Sequence, residues 1–170
     1  MSGSKRGITV TPVTDEDSLR IIASLANTVW REAYEGIVDR AQTAYMIERF
    51  QSYEAIRDQV DNRGYTYLLV RDGPRVAGYC GYVPDDRGLF LSKIYVHRDF
   101  RHKGVSSPVF EHLRTVARSL GKSKVYLTVN RGNEAAIRVY EHVGFEIVES
   151  ADNPIGDGFV MNDYIMEMKV

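Results

Sequence analysis

The sequence predicts one mixed α/β domain: a mostly antiparallel central sheet of about seven strands, flanked by four or five helices. Short apolar or alternating runs, the right length for strands, recur between residues 8 and 169. Helix-period stretches with recognisable caps lie between them. Their order, β-α-α-β-β-β-α-β-α-β-β, combines hairpin neighbours with longer crossings, as layered α/β domains do. A chain of 170 residues can bury a sizeable core without metals or disulfides.

Each element has a local cause. Ile8-Thr9-Val10-Thr11 alternates as a first strand. Thr14-Asp15-Glu16-Asp17 is a capping-box pattern, and apolar residues at 19, 22, 26, 29 and 33 then predict a helix over 15–35, closed by Gly36. A second helical region over 39–62 breaks near Gln51-Ser52, where Ser52 can cap a new start. Tyr65 to Val70 and Val76 to Val83 read as strands around an Asp72-Gly73 turn. Pro84-Asp85-Asp86-Arg87-Gly88 then turns into the strand Leu89 to Val96. Val105, Val109, Leu113, Val116 and Leu120 make a helix that ends at Gly121, and Pro108 fits only its first turn. Lys124 to Val129 is a strand, and Asn133 caps a helix over 134–143 that stops at Gly144. Strands over 145–149 and 159–169, with a turn at Asp157-Gly158, close the chain.

Composition excludes several classes of partner. Twenty-two basic residues balance 23 acidic ones, so no global field points to nucleic acid or to a membrane surface. No run approaches the ~20 apolar residues of a membrane helix. The polar start Met1-Ser2-Gly3-Ser4-Lys5-Arg6 lacks the apolar core of a signal peptide. The single cysteine, Cys80, sits in an apolar strand, which suits a small buried hydrophobe and a reducing, cytoplasmic compartment. No metal-ligand cluster stands out.

The most informative segment is Arg101-His102-Lys103-Gly104-Val105-Ser106-Ser107. A strand enters it and an amphipathic helix leaves it, so free first-turn N–H groups and the positive end of the helix dipole face the loop. That is a phosphate cradle, although neither the Walker pattern nor the three-glycine dinucleotide fingerprint is present. A second constellation is Asn133-x-x-Ala136-x-x-x-Tyr140-x-x-x-Gly144-Phe145, whose residues 133, 136 and 140 share one helix face. Taken alone, it reads equally as a helix cap, a core aromatic and a helix stop.

Together the two constellations resemble the GNAT superfamily of acetyl-CoA-dependent N-acetyltransferases. The family's loop reads Arg/Gln-x-x-Gly-x-Gly/Ala, met here by Arg101 through Ser106 with serine in the last small position. Its later pattern is met at every fixed position from Asn133 to Phe145. The resemblance implies acetyl-CoA as co-substrate, no metal, and a primary amine acceptor, with small amines or polyamines favoured, acetylated by direct attack in a ternary complex. It implies that Ile94, Tyr95 and Val96 offer backbone groups to the pantetheine arm, the Val96 N–H facing the thioester carbonyl. It further implies that Arg101, His102, Lys103, Gly104, Val105, Ser106 and Ser107 hold the pyrophosphate, that Asn133 contacts the cofactor arm, and that Tyr140 protonates the leaving thiolate.

The general base is not evident. The strand before the loop offers Phe90 and Ser92 where many relatives carry glutamate, leaving Ser92 to order a water relay. His97, Glu32, Glu35 and Asp163 are further candidates. Trp30, Tyr34, Glu35 and Asp163 are the expected acceptor-side residues, and the tail from Gly158 to Glu167 is similar to bacterial diamine and polyamine acetyltransferases. Two alternatives stay open: a protein N-terminal or lysine acetyltransferase, and a non-catalytic acyl-CoA-binding module. A homodimer is also open.

Overall fold

The structure, a computed structural model, describes residues 7–170. The expectation about the segment Met1 to Arg6 lies outside the described residues. Seven strands form one sheet in the order β1-β2-β3-β4-β5-β7-β6. They are β1 (Ile8–Val13), β2 (Thr66–Asp72), β3 (Arg75–Pro84), β4 (Leu89–Val96), β5 (Lys124–Asn130), β6 (Glu146–Gly156) and β7 (Phe159–Lys169). Every neighbouring pair is antiparallel except β4 and β5. The five helices are α1 (Glu16–Tyr34), α2 (Arg40–Met46), α3 (Tyr53–Asn62), α4 (Ser106–Ser119) and α5 (Glu134–Val143). Among the described residues no helix is long and apolar enough to cross a membrane.

Caps set the helix starts. The carboxylate of Asp15 accepts the Ser18 N–H at 3.0 Å, and Ser52 Oγ accepts the Ala55 N–H at 3.1 Å. Each satisfies one orphan first-turn donor. Between α2 and α3 the backbone makes a π-turn over Ile47–Gln51, a wide turn common at functional sites. Leu19, Ile22, Ala26 and Val29 of α1 are fully buried against one sheet face with Tyr67, Leu69 and Tyr79. Phe110 and Leu113 of α4 are buried with Leu127, Phe145 and Met166 on the other. Two cores therefore sandwich the sheet, and the elements predicted from capping and periodicity stand where expected.

One strand is longer than expected. The sequence reading ends β6 at residue 149, but pairing with β7 continues to Gly156 opposite Phe159. Pro154 argues against a strand, yet β6 is the sheet edge, where a missing N–H costs no ladder bond.

Two irregularities position the site. β4 and β5 pair only through Leu89–Val125 and Phe90–Tyr126, then diverge, while β5 stays paired with β7 out to Asn130–Asp163. A wedge-shaped gap opens between Ile94–Val96 and the end of β5. The second irregularity is a bulge: Gly81 pairs with Lys93 and Tyr82 with Leu91, so Ser92 has no partner on β3. An extra residue resets the alternation of a strand. Leu91 therefore packs in the core beneath α4, while Lys93 turns to the opposite face, toward α3.

Candidate active site

The gap has a backbone side and a side-chain side. On the backbone side, the His97 N–H returns to the Ala77 carbonyl of β3 at 2.8 Å. The alternation of an extended strand then turns the preceding N–H, that of Val96, toward the gap. The Val96 carbonyl is held by Arg101 Nε at 3.0 Å. Beyond it, His102 and Gly104 both take positive φ, 61° and 75°, curling the loop so that its amides precede α4. No side chain caps α4, and nothing lies within 4 Å of where a Gly104 side chain would begin. Donors without a cap, beneath open space, fit a pyrophosphate. Arg101, His102, Lys103 and Gly104 are exposed, Val105 is buried, and Pro108 is the third residue of α4, inside its first turn.

Asn133 and Tyr140 belong to α5. Asn133 is the α5 cap, its Oδ1 accepting the Ala136 N–H at 3.3 Å. Tyr140 is half-buried and meets Phe110 and Phe145 edge-on, at ring-centroid distances of 6.2 and 5.8 Å. Burial pushes its phenol above the ordinary range, and Tyr34 from the far side of the sheet adds to the shift.

On the side-chain side lies a cavity of about 310 Å³. Trp30, Tyr34, Ser92 and Asp163, all selected from sequence, line it together. The Trp30 ring packs on Tyr34 at 5.0 Å and on Tyr95 at 5.5 Å. Tyr95 is thus an aromatic wall of this cavity as well as part of the backbone edge. Ser92 Oγ accepts from the Tyr65 hydroxyl at 3.2 Å. Asp163 is 6% exposed, and its Oδ1 has no hydrogen-bond partner. Burial raises its pKa, because a carboxylate removed from water resists ionisation.

The other sequence candidates fall outside this cavity. Glu35 lines a separate outer cavity of about 530 Å³ with Arg31, Glu32 and Arg40; only Tyr34 borders both. Glu32 is engaged by Arg98 at 3.4 Å and Arg101 at 3.6 Å. His97 Nδ1 accepts the Asp99 N–H at 3.2 Å and so caps a short 3₁₀ turn. Cys80 is fully buried, and burial pushes its thiol up, which makes it inert.

Lys93 was missed from sequence. It is 5% exposed, and its Nζ donates to the Phe50 carbonyl at 2.5 Å, Gln59 Oε1 at 2.9 Å and the Tyr67 hydroxyl at 2.5 Å. The Tyr67 hydroxyl itself donates to Gln59 Oε1 at 2.6 Å. The π-turn supplies the Phe50 carbonyl, the bulge aims the lysine, and burial alone lowers its pKa to about 7. The available signal was a lysine inside the apolar run Leu89 to Val96.

A sheet that parts beside an uncapped, glycine-bearing helix start, with an aromatic cavity behind it, is suited to a coenzyme A-dependent acyl-transfer site. Residues 25–145 match the model of the Acetyltransferase (GNAT) family. The chain belongs to that family and is an acetyl-CoA-dependent N-acetyltransferase. It is similar to an uncharacterised N-acetyltransferase of Mycobacterium tuberculosis, 26% identical over 155 residues, covering 91% of this chain and 97% of the relative. It is also similar to a thialysine N-epsilon-acetyltransferase of Bos taurus, 28% identical over 154 residues, covering 75% and 89%. The crystal structure of the PaiA N-acetyltransferase from Thermoplasma acidophilum, in complex with coenzyme A, superimposes with a TM-score of 0.80 at 19% identity, covering 96% and 99%.

Proposed function

We propose that this enzyme acetylates the primary amine of a small molecule in a ternary complex. The observation that carries the reading is Asp163: a buried carboxylate with a bare oxygen, lining an aromatic cavity beside the β4–β5 gap. An ammonium group is the natural partner for that oxygen. A cavity of about 310 Å³ lined by side chains from distant parts of the chain suits a small-molecule acceptor. One carboxylate faced by one lysine favours a single-amine acceptor over a polyamine, for which more carboxylates would be needed. The thialysine acetyltransferase relative agrees with a small acceptor. A pure binding module has no use for Asp163 at that place.

When bound, acetyl-CoA would supply a thioester carbonyl to the amine. As the C–N bond forms the C–S bond breaks, and the second proton shed by the attacking nitrogen goes to the departing sulfur, which leaves as the thiol. Amides from His102 to Ser107, with Lys103 beside them, hold the pyrophosphate; Arg101 acts more through the Val96 carbonyl and Glu32 that it already grips. Backbone groups of Ile94, Tyr95 and Val96, with Asn133 across the gap, hold the arm in line. The Val96 N–H meets the carbonyl oxygen, where negative charge develops. Asp163 orients the ammonium. Its raised pKa makes it a better proton acceptor than an ordinary carboxylate, so it takes one proton before attack.

Tyr140 faces the sulfur, but its surroundings hold its proton more tightly than in water. It therefore acts on the departing thiolate as a hydrogen-bond donor rather than as a full proton donor. The test is a screen of small amines with acetyl-CoA, scored by release of free CoA thiol. Amine-dependent release is the expected result. Acetyl-CoA binding without release by any small amine overturns the reading.

A further inference from the structure

Besides the buried Trp30 indole N–H, which has no acceptor, three polar groups of the acceptor cavity are left unbalanced. Lys93 has its three donors occupied by the Phe50 carbonyl, Gln59 and Tyr67, all uncharged oxygens. Its hydrogen bonds are satisfied but its charge is not: among the described residues no carboxylate pairs with it, and only the Tyr65 and Tyr67 rings face it besides these oxygens, at 5.9 and 5.2 Å. Gln51 is 1% exposed. Its Oε1 accepts the Tyr79 hydroxyl at 3.0 Å, which leaves its Nε2 a buried donor without an acceptor. Asp163 has the reverse deficit, a buried acceptor without a donor. All three line the same cavity, and Lys93 and Asp163 do not neutralise each other.

A buried donor without an acceptor destabilises the fold, and a buried uncompensated charge costs more. Native structures keep such groups where a ligand completes them. We propose that the acceptor carries a carboxylate as well as its amine, making it an amino-acid-like molecule. The amine lies against Asp163, and the carboxylate takes the free Gln51 N–H in the positive field of Lys93. This rests on the small-amine reading above and narrows it: neither a simple alkylamine nor a polyamine fills both deficits. A bound carboxylate also offsets the desolvation that holds the Lys93 pKa near 7.

The test compares pentylamine, diaminopentane and norleucine, which is pentylamine with a carboxylate on the amine-bearing carbon. CoA release by the wild-type protein, read as kcat/KM, is expected to favour norleucine by about tenfold or more. Lys93→Met should bring the norleucine-to-pentylamine ratio within about threefold of unity. Gln51→Glu, which keeps the Tyr79 bond and replaces the donor with a charge repelling the carboxylate, should invert it. Equal or better use of pentylamine or diaminopentane by the wild type overturns the proposal. So does a norleucine preference that survives in a folded Gln51→Glu protein.

Calorimetric binding of the same three compounds to the CoA-saturated protein separates the two layers. Tighter binding of norleucine without CoA release from any compound upholds the carboxylate site and defeats the small-amine transfer reading. Absence of any binding preference defeats the site.

Discussion

The two ends of the active site are built from different materials. The cofactor end is backbone: uncapped amides ahead of α4, two residues at positive φ, and the strand edge left bare where β4 leaves β5. The acceptor end is side chain: Trp30 from α1, Gln51 from the π-turn, Lys93 from the bulge and Asp163 from β7, brought together from across the chain. A backbone site recognises a group that every substrate of the class shares, and any sequence that makes the turn can serve. A side-chain site recognises what differs between acceptors. The two ends should therefore fail differently when altered.

Gly104→Val gives the largest effect. Valine at a φ of 75° is strained, and its branches would fill the open space above the loop. Acetyl-CoA affinity, measured by calorimetry, should fall by more than about a hundredfold while the fold persists.

Asp163→Asn attacks the other end. It should lower kcat/KM for the acceptor by about ten- to a hundredfold in steady-state assays, through both terms, and leave the acetyl-CoA Kd unchanged. A comparable loss of cofactor affinity would erase the division between the ends. Tyr140→Phe tests the boundary: kcat should drop about tenfold with cofactor affinity retained, and an unchanged kcat removes the phenol from the reaction.

The last test reads stability rather than binding or turnover, and it isolates Lys93. In the unfolded chain this lysine keeps its proton up to its usual pKa of 10.5, whereas in the fold it releases it near 7. The unfolded state binds more protons between those values, so the penalty is fully present below pH 7 and is lifted as pH rises toward 10.5. Urea unfolding should show stability rising across that window by up to about 1.4 kcal/mol per pH unit relative to Lys93→Met. A variant with the same slope as wild type would place the lysine in contact with water.

The same contrast explains what could be read from the sequence. The glycine-bearing loop, the caps at Ser52 and Asn133, and the order of elements along the chain follow from residues close in sequence, and short-range spacing reports short-range geometry. The first helix is capped one residue later than its Thr14 capping-box pattern suggests, by Asp15. Trp30, Tyr34, Ser92 and Asp163 were legible as candidates, yet nothing local says that they share a cavity while Glu35 is diverted to its neighbour. Lys93 was hidden by the bulge. Without the unpaired Ser92 it would face the α4 side with Leu91, and a strand pattern cannot report one inserted residue. The tail of β6 was lost because Pro154 is permitted only at an edge, and edges are fixed by the whole sheet. Glu32 and His97 looked like bases from their chemistry, but an ion pair and a turn engage them.

The β4–β5 seam holds by two residue pairs, one of them Leu89–Val125. The molecule is therefore two half-sheets, β1–β4 and β5–β7, stitched at one end and joined overhead by α4. On the proposed reading, coenzyme A bound in the gap would take the place of the missing ladder. Its arrival should slow amide exchange at Val96 and along the end of β5, far more than at β1 or β6, because the ligand acts as a strand that the chain itself does not provide.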